Sequence, residues 1–392
     1  MTETDILIGG GGVAGLSAAA RLGADGHRVV LVDPAPRNLP HAGDLRTTAY
    51  LQPAIDTLTK AGAWGALQAH GAELRTMRIV DAGGVERSPR DTVDFHGDET
   101  GRGAFGWNIP NAAARTELLK TISEMPHVQL RHERRVTGFL ARDKTAIVRL
   151  DDGTQISAKL VIAADGRNSA LRGMAGLSAK RWAYGQKALV FVVSHPDPHD
   201  GVSTEIHRTG GPLTLVPMPD LDGRPCSSVV WMVPGARARE LEAMDDTRLG
   251  VELTAETMGL FGVLRIESPR AVWPMISQVA TRLVSDRLAL VAEAAHVMPP
   301  IGAQGLNTSL HDVETLAGLV HGAPDPGDGS LLAGYERRIL PRTLARVGGI
   351  DILNRAAMAE FQPLRDLRRA GLTAIARIPA LRRFAIRSGM GG

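Results

Sequence analysis

Ile6-Leu7-Ile8 runs into Gly9-Gly10-Gly11-Gly12-Val13-Ala14-Gly15, continues from Leu16 to Gly23 at helical spacing, and re-emerges as Arg28-Val29-Val30-Leu31-Val32, closed by Asp33. An apolar run, a glycine turn, a helix and a second apolar run make a βαβ unit. The fold class expected from it is α/β, with a Rossmann-like dinucleotide-binding domain. Gly10, Gly12 and Gly15 fit the G-x-G-x-x-G pattern. The first glycine permits the tight turn, the second lets backbone approach a pyrophosphate, and the third lets helix pack on strand. Phosphates then rest on the helix N-terminus, beside Val13 and Ala14. Asp33 ends the second strand 18 residues after Gly15, where an acid takes ribose hydroxyls. Within a strand-turn-helix unit the triad occurs once, so one dinucleotide has a dedicated fold and any second one binds transiently elsewhere.

Two later segments repeat the theme of a strand that delivers a polar group. Leu160-Val161-Ile162-Ala163-Ala164 ends in Asp165-Gly166-Arg167-Asn168-Ser169, which taken alone is equally a plain Asp-Gly turn. Leu288-Ala289-Leu290-Val291-Ala292 delivers Glu293 and, three residues on, His296. Pro299-Pro300 then forces an extended turn, and Gly302-Ala303-Gln304-Gly305-Leu306-Asn307 opens a helix through Ala317. Glycines there bring backbone close to something flat, and the helix aims its positive end at the same place. Between these segments, Ala188 to Val193, Leu213 to Pro217 and Ser228 to Val233 alternate as the strands of a covering sheet.

Composition bounds the function. At 392 residues with 44% hydrophobic and 22% charged residues, the chain is an ordinary globular protein of two or three domains. The single cysteine, Cys226, excludes an internal disulfide and a cysteine-based metal site, and the histidines show no H-E-x-x-H spacing, so no metal is expected. The N-terminus lacks a basic segment before its apolar run and no stretch of about 18 apolar residues occurs, so the expectation is a cytoplasmic protein without a spanning helix. Net charge is +3, yet from Arg337 onward twelve arginines face three acids, a local balance of +9 that leaves −6 for the rest. Without aromatic-interleaved basic strands or a Cys/His finger, nucleic acid is not an expected partner. A helix read between Pro363 and Pro379 gathers Leu364, Leu367, Ile375 and Ile378 within an arc of roughly 80°. Arg368 falls at its edge, Arg365, Arg369 and Arg377 lie off it, and Arg382, Arg383 and Arg387 follow. This segment reads either as a reversible anchor for anionic lipid or as a helix packed on the dinucleotide-binding domain with its arginines solvated.

The three segments, in this order, resemble the single-component FAD monooxygenases typified by p-hydroxybenzoate hydroxylase, and within them the ubiquinone-biosynthesis hydroxylases. The likeness covers nearly the whole chain, including Asp44-Leu45-Arg46-Thr47-Thr48-Ala49, Gly106 to Asn111 with Arg115, Tyr184-Gly185-Gln186 and Gly210-Gly211-Pro212-Leu213. It implies that Gly10, Gly12, Gly15 and Asp33 hold the ADP half of FAD. Arg46 and Arg115 would lie along the pyrophosphate and ribityl chain, Asp165 beneath the flavin or its phosphates, and Glu293 against the ribityl hydroxyls. Pro300, Gly302, Gly305, Leu306 and Asn307 would line the isoalloxazine ring, with Pro300, Gly302 and His296 as its catalytic-side neighbours. His296 reads equally as a hydrogen-bonded structural histidine, and no side chain is assigned as a general base. The implied domains are a discontinuous FAD-binding domain (1–75, 105–180, 283–335), a substrate domain (76–104, 181–282) and a basic C-terminal helical segment (336–392).

The same resemblance implies NAD(P)H as transient reductant, molecular oxygen, and oxygen transfer through a flavin C4a-hydroperoxide. The substrate would be a hydrophobic aromatic molecule, a polyprenylated phenol or benzoquinone precursor of ubiquinone, met at the inner membrane face or within a quinone-biosynthesis complex. The sequence departs from the family's usual pattern in three places. Gly-Asp becomes Ala292-Glu293, Ala-Gly-Gln-Gly becomes Gly302-Ala303-Gln304-Gly305, and Gly-x-Arg-Asp becomes Ser309-Leu310-His311-Asp312. Those departures keep two alternatives open: an FAD monooxygenase acting on another aromatic or isoprenoid compound, and a flavin-poor structural partner in a biosynthetic assembly.

Overall fold

The structure, a computed structural model, describes residues 2–36, 46–84, 86, 88–208 and 210–390. Asp44 and Leu45 and the Arg387 side chain lie outside the described residues. The opening run forms the strand Thr2–Gly9, in which Ile6, Leu7 and Ile8 are fully enclosed. It is the middle of a parallel array ordered Leu288–Leu290, Gln155–Ala163, Thr2–Gly9, Val29–Asp33, Val128–His132. The inner strands are buried on both faces and read as apolar runs, whereas the edge strand Val128–His132 alternates. The helices Val13–Ala24, Asn111–Ser123 and Gln304–Val320 pack together around this sheet.

Parallel register places three chain reversals side by side. Gly9 pairs with Ala163 and Ala163 with Leu290, so the residues that follow each strand emerge at one sheet edge. Crevices beyond the carboxyl ends of parallel strands are where such folds take ligands. The glycine turn, the Asp-Gly turn and the Ala292-Glu293 turn therefore converge, although they are far apart in sequence.

A second sheet of nine described strands covers that crevice, ordered His296–Val297, Ala271–Ala280, Ala179–Ser194, Arg224–Pro234, Pro212–Leu221, Val202–His207, Thr76–Asp81, Asp91–His96, with Arg265–Ile266 beside Ala179–Ser194. Alternation along its strands is what separates its two faces. Leu189, Phe191, Val193, Leu215 and Val229 point one way, into a core closed by the helices Gly235–Ala243 and Asp246–Glu256. Ala188, Val190, Thr214, Val216 and Val230 point the other way, into the crevice.

The helix read from the prolines is Gln362–Arg377, flanked by Gly329–Met358 and Pro379–Met390. It does not pack an apolar stripe on the dinucleotide-binding domain: none of its residues is buried. It is fastened instead to the covering sheet. Arg368, read as an edge residue, reaches the fully buried Asp81 at 2.8 Å, and Arg90 joins the same carboxylate at 2.7 Å. Thr373 donates to Asp91, and Arg382 is paired with Glu99. Two of the arginines expected to be solvated are thus used to hold the C-terminal helices on the acidic body.

Candidate active site

Each glycine of the opening turn meets a different demand. Gly10 has φ +110°, a conformation that L side chains rarely adopt, and a Cβ there would lie 2.3 Å from the Ala164 carbonyl oxygen. At Gly15 a Cβ would lie 1.9 Å from the Gly10 carbonyl oxygen, so helix and turn touch. At Gly12 it would meet no protein atom within 4 Å, and Gly12 borders the crevice. The first and third glycines are there for the chain itself; the second leaves room for something else. Val13, Ala14 and Gly15 line the crevice at the start of the helix Val13–Ala24, whose positive end faces it.

Asp33 and Arg115 stand together at this end. Asp33 Oδ1 accepts from the Ala35 N–H at 2.8 Å, and its Oδ2 lies 3.6 Å from Arg115 Nη2. That Arg115 nitrogen is buried without a hydrogen-bond partner, which leaves it a donor to offer. Arg46 borders the crevice further along, its guanidinium 4.8 Å above the Trp273 ring. Glu293 also lines it and lies 3.5 Å from Arg167 Nε. Pro300, Gly302, Gly305 and Leu306 form the wall where the helix Gln304–Val320 begins.

Two of the residues named by the resemblance have side chains already engaged within the protein. Asp165 accepts from Ser169 Oγ and from the Leu171 N–H, fixing the start of the helix Ala170–Met174. Both its oxygens are used inside its own loop, and Gly166 and Arg167 border the crevice in its stead. Asn307 reaches the crevice wall, but its amide is a clamp: Oδ1 accepts from the Leu51 N–H at 2.8 Å, and Nδ2 donates to the carbonyls of Ala49 and Ala303. His296, left open between a structural and a catalytic reading, has its Nε2 2.6 Å from Asp312 Oδ2, with both side chains 1% exposed. That pair ties the strand His296–Val297 to the helix Gln304–Val320.

The unusual alanines have a physical signature. Ala292 and Ala303 both have φ +56°, the left-handed region that favours glycine. A Cβ there costs roughly 1–2 kcal/mol, against about 0.4–1 kcal/mol by which alanine's lower unfolded-state entropy favours it over glycine. Ala292→Gly and Ala303→Gly are each expected to raise the thermal midpoint by about 1–3 °C. Unchanged or lower midpoints in calorimetry would mean that the backbone carries alanine there without strain.

All of these walls enclose one cavity of about 1670 Å³. Pockets for single drug-sized ligands span roughly 300–1,000 Å³, so this one has room for a dinucleotide and a second molecule. Residues 3–347 match the FAD binding domain family. Over 399 residues the chain is 33% identical to the ubiquinone hydroxylase UbiL of Rhodospirillum rubrum, spanning 99% of this chain and 89% of that one. The chain belongs to the ubiquinone hydroxylase family of FAD-dependent monooxygenases. It is also 29% identical over 398 residues to the 3-demethoxyubiquinol 3-hydroxylase of Escherichia coli, spanning 99% of this chain and 98% of that one. The crystal structure of Pseudomonas aeruginosa PqsL with 2-aminobenzoylacetate shares the fold, with a TM-score of 0.79 at 23% identity over 95% of this chain and 100% of that one.

The cavity fits the FAD that this family binds. Gly12 leaves open space at a helix N-terminus, the Arg115 Nη2 donor is unpartnered, and Trp273 Nε1 is buried without an acceptor. As an FAD-dependent monooxygenase of this family, the protein takes its electrons from NAD(P)H and its oxygen atom from O2. Sequence reasoning missed Trp273 and Arg346. Trp273 carries no local motif, and only its strand register beside Ala188 brings it to the cavity. Arg346 comes from the helix Gly329–Met358 and bonds Gln304 Oε1, while Arg342 of the same helix lies 2.9 Å from His311 Nε2, where the family's usual arginine is missing.

Proposed function

We propose that this enzyme hydroxylates a polyprenylated phenol or benzoquinone precursor of ubiquinone at a lipid surface. One observation carries the reading: the cavity leads from the Gly12 turn to an apolar mouth. Ile352, Leu353 and Phe384 line it and are also 69%, 54% and 69% exposed, so they mark where it meets the outside. Leu364, Leu367, Ile378 and Leu381 of the same C-terminal helices are exposed as well, as are Arg369, Arg377 and Arg383 in that stretch. Apolar side chains with interspersed arginines match an anionic lipid surface, and a prenyl tail has a matching path from the bilayer to the chamber. No helix among the described residues is long and apolar enough to cross a membrane, so contact would be peripheral.

The division of labour follows from the walls. Gly12, the start of the helix Val13–Ala24, Asp33 and Arg115 would hold the ADP half of FAD; Arg46 and Glu293 border the path beyond. Gly302, Gly305 and Leu306 would support the ring, where the N-terminus of the helix Gln304–Val320 offers positive potential to negative charge. When bound, FAD supplies the reductive activation of oxygen at the expense of NAD(P)H. The apolar face of Val190, Val216 and Val230 would keep water from the reacting ring.

The test uses the FAD-loaded protein with 2-prenylphenols of increasing chain length, presented in anionic vesicles. Turnover per substrate concentration is expected to rise with chain length, and the protein to co-sediment with the vesicles. Rates that stay flat or fall with chain length would point to a compact aromatic substrate and overturn the reading.

A further inference from the structure

We infer that Glu205, steadied by His207, recognises the free hydroxyl of the aromatic substrate; this rests on the reading of the cavity given above. Both residues lie on the strand Val202–His207, two apart and so on one face, and both line the cavity. Across the ladder Glu205 is flanked by Ile79 and Thr214, and Val230 follows Thr214 on the next strand. A carboxylate is costly to bury in such company unless its oxygens are paired. Only one is. Glu205 Oε1 lies 2.6 Å from His207 Nε2, while Oε2 has no hydrogen bond among the described residues and is not among the fully enclosed unpartnered atoms. Oε2 therefore opens on the cavity. Arg368, which the C-terminal helices bring to this strand, is already committed to Asp81 and to the carbonyl oxygens of His207 and Arg208.

An acceptor that the protein leaves without a donor, in an apolar chamber, suits a ligand that brings one. A phenolic O–H does so, and its bond to Oε2 would fix the ring's rotation and hence which carbon is presented for hydroxylation. His207 is a positioning residue, holding Oε1 so that Oε2 faces the chamber. Neither residue belongs to the three glycine-bearing segments.

The experiment compares 2-allylphenol with its methyl ether, 2-allylanisole, as ligands of the FAD-loaded protein, following the flavin spectrum. The phenol is expected to bind about tenfold to a hundredfold more tightly, since the ether leaves a buried carboxylate oxygen unpaired. Glu205→Leu should erase the preference, mainly by improving ether binding, while leaving FAD content unchanged. Glu205→Gln, which keeps the shape and loses the charge, should reduce it severalfold. His207→Phe should weaken it, and His207→Gln, which restores an N–H for Oε1, should recover it; a purely structural histidine would not move this ratio. A preference undiminished in both Glu205 variants overturns the assignment, as does equal binding of phenol and ether by the wild-type protein. Failure of the wild type to bind either ligand would instead overturn the phenol reading of the cavity itself.

Discussion

Replacing His296 with leucine is expected to cost about 3–5 kcal/mol, the penalty for leaving a buried charge without its partner. Asp312 is 1% exposed, its Oδ2 has His296 Nε2 at 2.6 Å, and its Oδ1 has no hydrogen bond at all. Arg346 feels the Asp312 charge, but its guanidinium is bonded to Gln304 Oε1. Since whole domains are stable by only about 5–15 kcal/mol, this single change should bring the protein close to unfolding at physiological temperature. The double variant His296→Leu/Asp312→Leu separates charge from packing. Buried ion pairs exchanged whole for apolar residues are often neutral, so the double variant should recover most of the loss in denaturant titrations. A single variant as stable as the wild type would mean that Asp312 is not a buried charge. A double variant no better than the single would mean that shape, not charge, holds this corner.

Gly12→Val should produce a folded protein that does not retain FAD. With φ −69° at Gly12 and no protein atom within 4 Å of a Cβ, the chain tolerates the side chain. The cofactor does not, because its pyrophosphate needs that space. The FAD dissociation constant is expected to rise by about a hundredfold or more, ~3 kcal/mol. Thermal unfolding of the cofactor-free variant should match that of cofactor-free wild type. Gly15→Ala makes the contrast: its Cβ would meet the Gly10 carbonyl oxygen at 1.9 Å, so it should destabilise the protein with or without FAD. Flavin at wild-type occupancy in Gly12→Val would move the cofactor away from this turn.

What the sequence made legible was local. The apolar runs and the glycine turn belong to consecutive residues, and the parallel array follows from them because such strands need crossover helices between them. The roles of Gly10, Gly12 and Gly15 could be read in advance because each is a matter of the nearest backbone. Asp165 shows the limit. An Asp-Gly turn after a strand looks the same whether the carboxylate faces a ligand or caps the next helix, and Ser169 decides it only once the loop is folded. Glu205 and His207 were hidden for a related reason: their strand is one of nine, and only register shows that their face meets the cavity. The basic C-terminal segment was legible as charge but not as contact, since Asp81 and Arg368 lie 287 positions apart. Charge counting saw a surplus where the fold forms ties. The left-handed backbone at Ala292 and Ala303 was equally invisible, because alanine gives no sign of the φ it is forced to adopt.

The side-by-side emergence of three chain reversals has a consequence for biosynthesis. The strand Leu288–Leu290 lies against Gln155–Ala163, so the ribosome makes nearly three quarters of the polypeptide before this neighbour exists. At ~5–20 residues per second, the nascent chain spends several seconds with the outer edge of Ala163 unpaired, the kind of open edge that invites association with other chains. During that interval the glycine turn is present but its pocket is not. Flavin capture is therefore a late event in the life of the molecule, and a truncated product ending before Leu288 should emerge colourless and in need of a chaperone, however well its first hundred residues have folded.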